Sequence, residues 1–126
     1  MFPILDILKN NNLKFDNLDT LLDKLLDSFI NKHTLSKKAH EEMMALSHLD
    51  EDIAQIFHDK EMVTTKKIVE VLEKNKIDSN NLIEKVHIII GIVENYCHEN
   101  VYHKHTSLNY NFMKQEVINV ITNILK

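Results

Sequence analysis

Arginine and tryptophan are absent from this chain of 126 residues, and glycine, proline and cysteine each occur once. Tight turns between strands and phosphate-binding loops depend on glycine, so most all-β folds and glycine-rich nucleotide sites are excluded. The lone Cys97 cannot form an internal disulfide and is typical of a protein in a reducing cytoplasm. No apolar run approaches the roughly 18 residues that span a bilayer, and no signal peptide opens the chain. We therefore expect a soluble, cytoplasmic protein.

The charged residues argue against direct recognition of nucleic acid. All 15 residues counted as Lys or Arg are lysines, and 19 acidic residues give a net charge of -4. Arginine supplies the bidentate contacts to guanine and phosphate that dominate DNA recognition. We expect that this chain alone does not bind duplex DNA specifically.

The spacing of apolar residues predicts an all-α fold, an antiparallel bundle of about six helices in one domain spanning residues 1–126. Ser36 is the predicted N-cap of the third helix. The acidic cluster at 50–52 predicts the start of the fourth, because carboxylates favour the positive end of a helix dipole. The predicted helices cover approximately residues 3–9, 16–32, 36–49, 50–74, 80–103 and 110–126.

The fifth predicted helix is apolar on two faces. Ile88 and Ile92 point almost opposite to the stripe that contains Val86 and Val93. A helix of this kind is sandwiched between two partners. The last two helices thus carry more apolar surface than one monomer hides, which predicts a homodimer. Gly91, in the middle of the fifth helix, costs up to about 1 kcal/mol relative to alanine, and we expect it to permit close approach of another helix.

Metal and catalytic sites are weakly indicated. Glu84 and His87 have the Glu-x-x-His spacing of di-iron bundles, but no second such motif is present. His98 and His103 are five residues apart, a poor fit to one helical face, and with His105 they are typical of exposed residues at a helix C-terminus. Metal ligation, including a di-iron bundle, is the less favoured alternative for these residues.

A nucleophilic role for Cys97 with His98 is disfavoured, because adjacent helical residues point about 100° apart. We expect no enzymatic activity, no catalytic residues, no bound metal and no cofactor.

The order and spacing of these segments resemble a known family. A leucine-rich helix at 18–30 precedes the segment 39–44, an acidic restart at 50–53 and a long helix to residue 76. Then comes 82–96, with Gly91 embedded among isoleucines, and a final helix at 113–125. This pattern is similar to the C-terminal ligand-binding and dimerisation domain of the tetracycline-repressor (TetR/AcrR) family of bacterial transcription regulators. Members of that family begin with a helix-turn-helix domain of roughly fifty residues, and we expect it to be absent from this chain.

The resemblance implies that the last two helices form a four-helix bundle with their twofold mates, and that the earlier helices enclose a mostly apolar pocket for a small effector. It also implies that DNA is bound only through the absent N-terminal domain. His40 lies on a helix that would face the pocket. The implied dimer interface comprises Ile88, Ile92, Tyr96, Val117, Ile121 and Ile124. The implied ligand-binding residues are Met43, Met44, Phe57, Met62, His87 and Ile90.

The residues leave a second class of function open. A helical protein–protein interaction module without a small-molecule pocket would also have amphipathic helices and no catalytic motif. Plain core packing is an alternative for each methionine of the predicted pocket, although methionine also recurs at adaptable binding surfaces.

Overall fold

The computed structural model describes residues 18–31, 36–77 and 80–126, and this part of the chain contains helices and no strand. The all-α prediction is confirmed. The predicted helix at 3–9 lies outside the described residues, so five of the six predicted helices are observed. They are α1 (Leu18–Asn31), α2 (Lys37–Leu49), α3 (Glu51–Lys74), α4 (Leu82–Tyr102) and α5 (Tyr110–Leu125).

Two polar side chains begin helices where the sequence places them. The Ser36 hydroxyl accepts a hydrogen bond from the Ala39 amide at 3.1 Å. At α5, the Asn109 side-chain oxygen accepts one from the Phe112 amide at 3.1 Å. Both bonds satisfy a backbone donor that lacks a partner within the first turn, which fixes where α2 and α5 start.

A single residue, Asp50, separates α2 from α3. Its amide donates to the Leu46 carbonyl at 2.9 Å and so closes α2. Its carboxylate accepts from the amides of Asp52 and Ile53, at 2.9 and 3.2 Å, and so begins α3. The predicted acidic start of the fourth helix is confirmed, with Asp50 as the N-cap.

Helix α3 ends with a left-handed residue that is not glycine. Lys76 has a φ of 61°. Its amide donates to the Glu73 carbonyl at 3.0 Å, and the Ile77 amide donates to the Leu72 carbonyl at 2.9 Å. This pair of bonds is a Schellman motif, which usually uses glycine at the left-handed position.

Helix α4 packs against α1, α3 and α5, and α1 also packs against α5. The core is made of the apolar faces of these four helices, including Leu26, Val86, Cys97 and Ile121, each at most 1% exposed. Only the second half of α3 joins this core. In the rest of α3, apolar residues such as Ile56 and Val63 are exposed.

Gly91 does not mediate close packing within the described residues. A Cβ built at this position would meet no heavy atom of another residue within 4 Å. No helix of this protomer lies close against Gly91, which is exposed, and close approach by a second chain stays a prediction.

Candidate functional site

One side of α4 carries titratable and aromatic side chains instead of apolar ones. His87, Glu94, His98 and Tyr102 follow one another at intervals of seven, four and four residues, which keeps them on one side of the helix. We call these four residues the polar face of α4. Side chains of α3 and of α2 meet this face, and these contacts form the candidate site.

At its N-terminal end, the polar face of α4 contacts a buried threonine of α3. Thr65 is 0% exposed, and its hydroxyl oxygen lies 3.3 Å from Nδ1 of His87. A fully buried hydroxyl needs a hydrogen-bond partner, since an unpaired one costs free energy. The imidazole of His87 supplies that partner while the rest of its ring remains exposed to solvent.

Glu94 occupies the middle of the face, and its carboxyl group is half-buried. Burial raises the pKa of Glu94, repulsion from the carboxylate of Glu61 on α3 raises it further, and the nearby His87 opposes the shift. A carboxyl group with a raised pKa beside a second carboxylate is typical of functional sites as well as of strained structural ones.

Four aromatic rings meet at the C-terminal end of the polar face, where α2 approaches α4. The imidazole of His40 stacks on the ring of Tyr102, with centroids 4.2 Å apart and planes inclined by 9°. The ring of His98 meets His40 edge-on at 4.8 Å, and His103 lies 6.5 Å away. This contact joins the start of α2 to the end of α4, where Tyr102 is 8% exposed.

Neither metal binding nor thiol chemistry is favoured by this geometry. Within the described residues, no group of three or more His, Cys, Asp or Glu side chains is placed to hold a metal ion. The Cys97 thiol is fully buried, and burial followed by the charge of Glu94 raises its pKa to about 12. A thiol with this pKa is protonated near neutral pH and is a poor nucleophile.

Among the described residues, no helix is long and apolar enough to cross a bilayer.

The predicted pocket residues fall in different environments. Met43, Met44 and Met62 are each about 40% exposed (41%, 44% and 38%), and Phe57 is half-buried. Ile90 belongs to the core and is 8% exposed. His87 is part of the polar face of α4.

The predicted interface residues also divide into two groups. Tyr96 and Ile121 are buried within the protomer, at 5% and 1% exposure. Ile88 is 55% exposed, and the remaining three residues are half-buried along α4 and α5. These three are Ile92, Val117 and Ile124.

Sequence reasoning missed Glu61, Thr65, Glu94 and Tyr102 as parts of the site. The regular spacing of polar residues along α4 was a usable signal for Glu94 and Tyr102. No comparable signal marked Thr65, because nothing in a single sequence distinguishes a buried threonine from an exposed one.

The chain matches no protein-family model, no curated protein and no solved structure.

Proposed function

We propose that this chain is a homodimerising, effector-binding module of a TetR-like transcription regulator. The observation that carries the proposal is the exposure of apolar side chains on both α4 and α5, where Ile88 is 55% and Val120 is 42% exposed. Apolar surface of this kind on a helical pair is typical of a site where another chain packs. The spacing resemblance of the whole chain to that family supplies the rest of the support.

The packing of α4 against α5 places these residues at similar heights along the two helices. The Tyr96 hydroxyl donates to the Tyr110 carbonyl at 3.1 Å, which places the start of α5 level with this turn of α4. Ile88 lies about 12 Å back along α4 and Val117 about 10 Å forward along α5, at 1.5 Å per residue. Ile88 therefore lies nearly level with Val117 and Val120. We call Ile88, Ile92, Val117, Val120 and Ile124 the α4–α5 seam.

The seam suits a second copy of the chain, because a twofold axis brings the same apolar residues together from both sides. Stable interfaces bury about 1,200–2,000 Å² in total. Two pairs of helices of this length, packed along the seam, can supply an area of that order.

The test compares two substitutions of equally exposed isoleucines. Ile88, on the seam, is 55% exposed, and Ile56, on α3, is 54% exposed. We expect light scattering to give a dimer mass for the wild type and for Ile56→Glu, and a monomer mass for Ile88→Glu. Circular dichroism establishes that each variant is folded. A wild type that is monomeric at micromolar concentration, or an Ile88→Glu variant that remains dimeric, would contradict the proposal.

The effector site in this proposal lies between the α2–α3 pair and the polar face of α4. Met43 and Phe57 supply adaptable apolar surface, and Glu94 and His87 supply polar groups that could orient a ligand. Binding of the neutral dye N-phenyl-1-naphthylamine reports on such a site. We expect Met43→Trp to weaken dye binding and leave the dimer mass unchanged. Equal binding by wild type and variant would remove Met43 from the site.

A second candidate is a helical protein–protein interaction module. It is favoured by exposed apolar residues around the junction of α2 and α3, where Leu49 is 85% and Ile56 is 54% exposed. A monomeric wild type that does not bind the dye would favour this function over the first.

A further inference from the structure

The negative charge of the chain is concentrated in one segment. Between Lys38 and Lys60 lie 21 residues without a lysine, and six of them are acidic. The rest of the chain has 15 lysines and 13 acidic residues, a small positive excess. We call residues 39–59, which comprise most of α2 and the first turns of α3, the acidic arm. Its carboxylates belong to Glu41, Glu42, Asp50, Glu51, Asp52 and Asp59.

The acidic arm lies outside the core and exposes apolar side chains. All of its residues are described, and none of them is buried. Leu49 is 85%, Ile56 is 54% and Leu46 is 51% exposed, although leucine and isoleucine are among the residues most often buried. Leu46 and Leu49 are three residues apart, so they share one side of α2. The arm thus offers apolar contacts within a field of negative charge.

Charge and apolar exposure together select the kind of partner. Nucleic acid and membranes with anionic lipid are themselves negative, so the arm repels both. An amphipathic helix rich in lysine or arginine is complementary, because its apolar side covers leucines while its cations face carboxylates. Met44, which is 44% exposed, adds a side chain that adapts its shape to different partners.

We propose that the acidic arm is a docking surface for a basic amphipathic helix of a partner protein. The apolar side of that helix packs on Leu46, Leu49 and Ile56, and its cations pair with exposed carboxylates such as Glu42 and Asp59. The proposal rests on the second candidate function, the interaction module, and names the partner for it. It does not require the α4–α5 seam to form a dimer.

Fluorescence anisotropy with the full chain tests the docking surface. The probe is a labelled peptide of leucine and lysine, with its leucines on one helical face. We expect saturable binding that weakens as salt rises, and no binding when glutamate replaces the lysines of the peptide. Leu46→Ser with Leu49→Ser should weaken binding at least about fivefold. The matched control is Ile83→Ser with Phe112→Ser, at side chains 44% and 63% exposed outside the arm, and it should bind as the wild type.

A second pair of variants tests the position of the charge. Glu42→Gln with Asp59→Asn removes two exposed carboxylates from the arm, and Glu70→Gln with Glu73→Gln removes two from the second half of α3. Both double variants therefore have the same net charge. We expect the first to weaken binding about three- to tenfold and the second less than about twofold. Circular dichroism spectra like that of the wild type establish the fold of each variant.

The docking surface is overturned if the wild type does not bind the peptide, or if the two charge variants weaken binding equally. It is also overturned if the serine variant of the arm binds as tightly as its control. Loss of a dimer mass in that serine variant would overturn it too, because the arm would then be covered by a second copy. The dimer through the seam is measured separately with Ile88→Glu, so failure of docking and failure of the proposed function are distinguishable.

Discussion

Lys114 of α5 and Asp27 of α1 form an ion pair, with 2.7 Å between the ammonium nitrogen and the carboxylate oxygen. Asp23, one turn earlier on α1, lies 2.8 Å from the same nitrogen. The Lys114 side chain is only 15% exposed, whereas the two carboxylates remain about half exposed. Burial lowers the pKa of Lys114, but hydrogen bonds to Asp23 and Asp27 outweigh this effect and raise it overall. The pairing thus joins the first described helix to the last.

Replacing this lysine should weaken the attachment of α1. We expect Lys114→Met to lower the free energy of unfolding by about 1 kcal/mol, a value limited by the exposure of both carboxylates. The loss should shrink in 1 M salt, which screens the pair in the wild type. Urea denaturation at both salt concentrations measures the effect. Lys24→Met, at an exposed lysine of α1, is the control and should change little; an equal loss in that variant would contradict the role of the pair.

Glu94 should make stability depend on pH. Burial raises its pKa above the ordinary value of 4.5, and repulsion from Glu61 adds to this. The folded chain therefore binds the proton more tightly than the unfolded chain, and Glu94 lowers stability as pH rises from 4.5 through the raised pKa. We expect Glu94→Gln to melt higher than the wild type at pH 7.5, with the gain disappearing near pH 4. Thermal melts of the exposed-site variant Glu70→Gln should lack this trend. A rise in the melting temperature of Glu94→Gln that did not vary with pH would contradict this role of the Glu94 carboxyl group.

Replacing Lys76, whose backbone is in the left-handed conformation, with glycine should stabilise the protein. A residue with a side chain costs roughly 1–2 kcal/mol at φ near +60°, and glycine avoids this cost. We expect Lys76→Gly to raise the free energy of unfolding by about 1 kcal/mol. Lys67→Gly, at an exposed position inside α3, should lower it by about the same amount. Chemical denaturation of both variants provides the measurement, and a loss of stability at Lys76 would show that its side chain contributes more than its backbone costs.

Replacing Gly91 with alanine should also stabilise the protein, for a different reason. The position is helical, and a Cβ there meets no other residue within 4 Å. Alanine removes the entropic cost of glycine in a helix without a steric penalty, so we expect a gain of about 0.5–1 kcal/mol. Melting temperature of Gly91→Ala is the measurement. A lower melting temperature would contradict the view that a methyl group fits here without a clash.

The helix boundaries followed from local chemistry and could be predicted. Ser36 and Asp50 each satisfy backbone donors within three residues of themselves, so their effect is visible in the sequence. The end of α3 was also predicted within one residue, because lysines and the polar residues after them are typical of a helix C-terminus.

The candidate site could be predicted only in part, because it depends on contacts between distant segments. The stacking of His40 on Tyr102 joins positions 62 apart in the chain, and no local pattern encodes it. Ile56 and Val63 are seven residues apart, a spacing typical of one apolar helical face, yet both are exposed, because the buried side chains of α3 begin only at Thr64. The spacing of apolar residues identifies one face of a helix but not which residues, if any, pack against that face.

The junction at Asp50 also constrains how this chain can vary in length. One inserted or deleted residue between Leu49 and Glu51 would change the direction in which α2 meets α3 and separate the rings of His40 and Tyr102. Replacing Asp50 by Ser, Thr or Asn keeps an N-cap and preserves the geometry. Among descendants of this sequence, position 50 should therefore tolerate these exchanges of side chain while insertions and deletions there are lost.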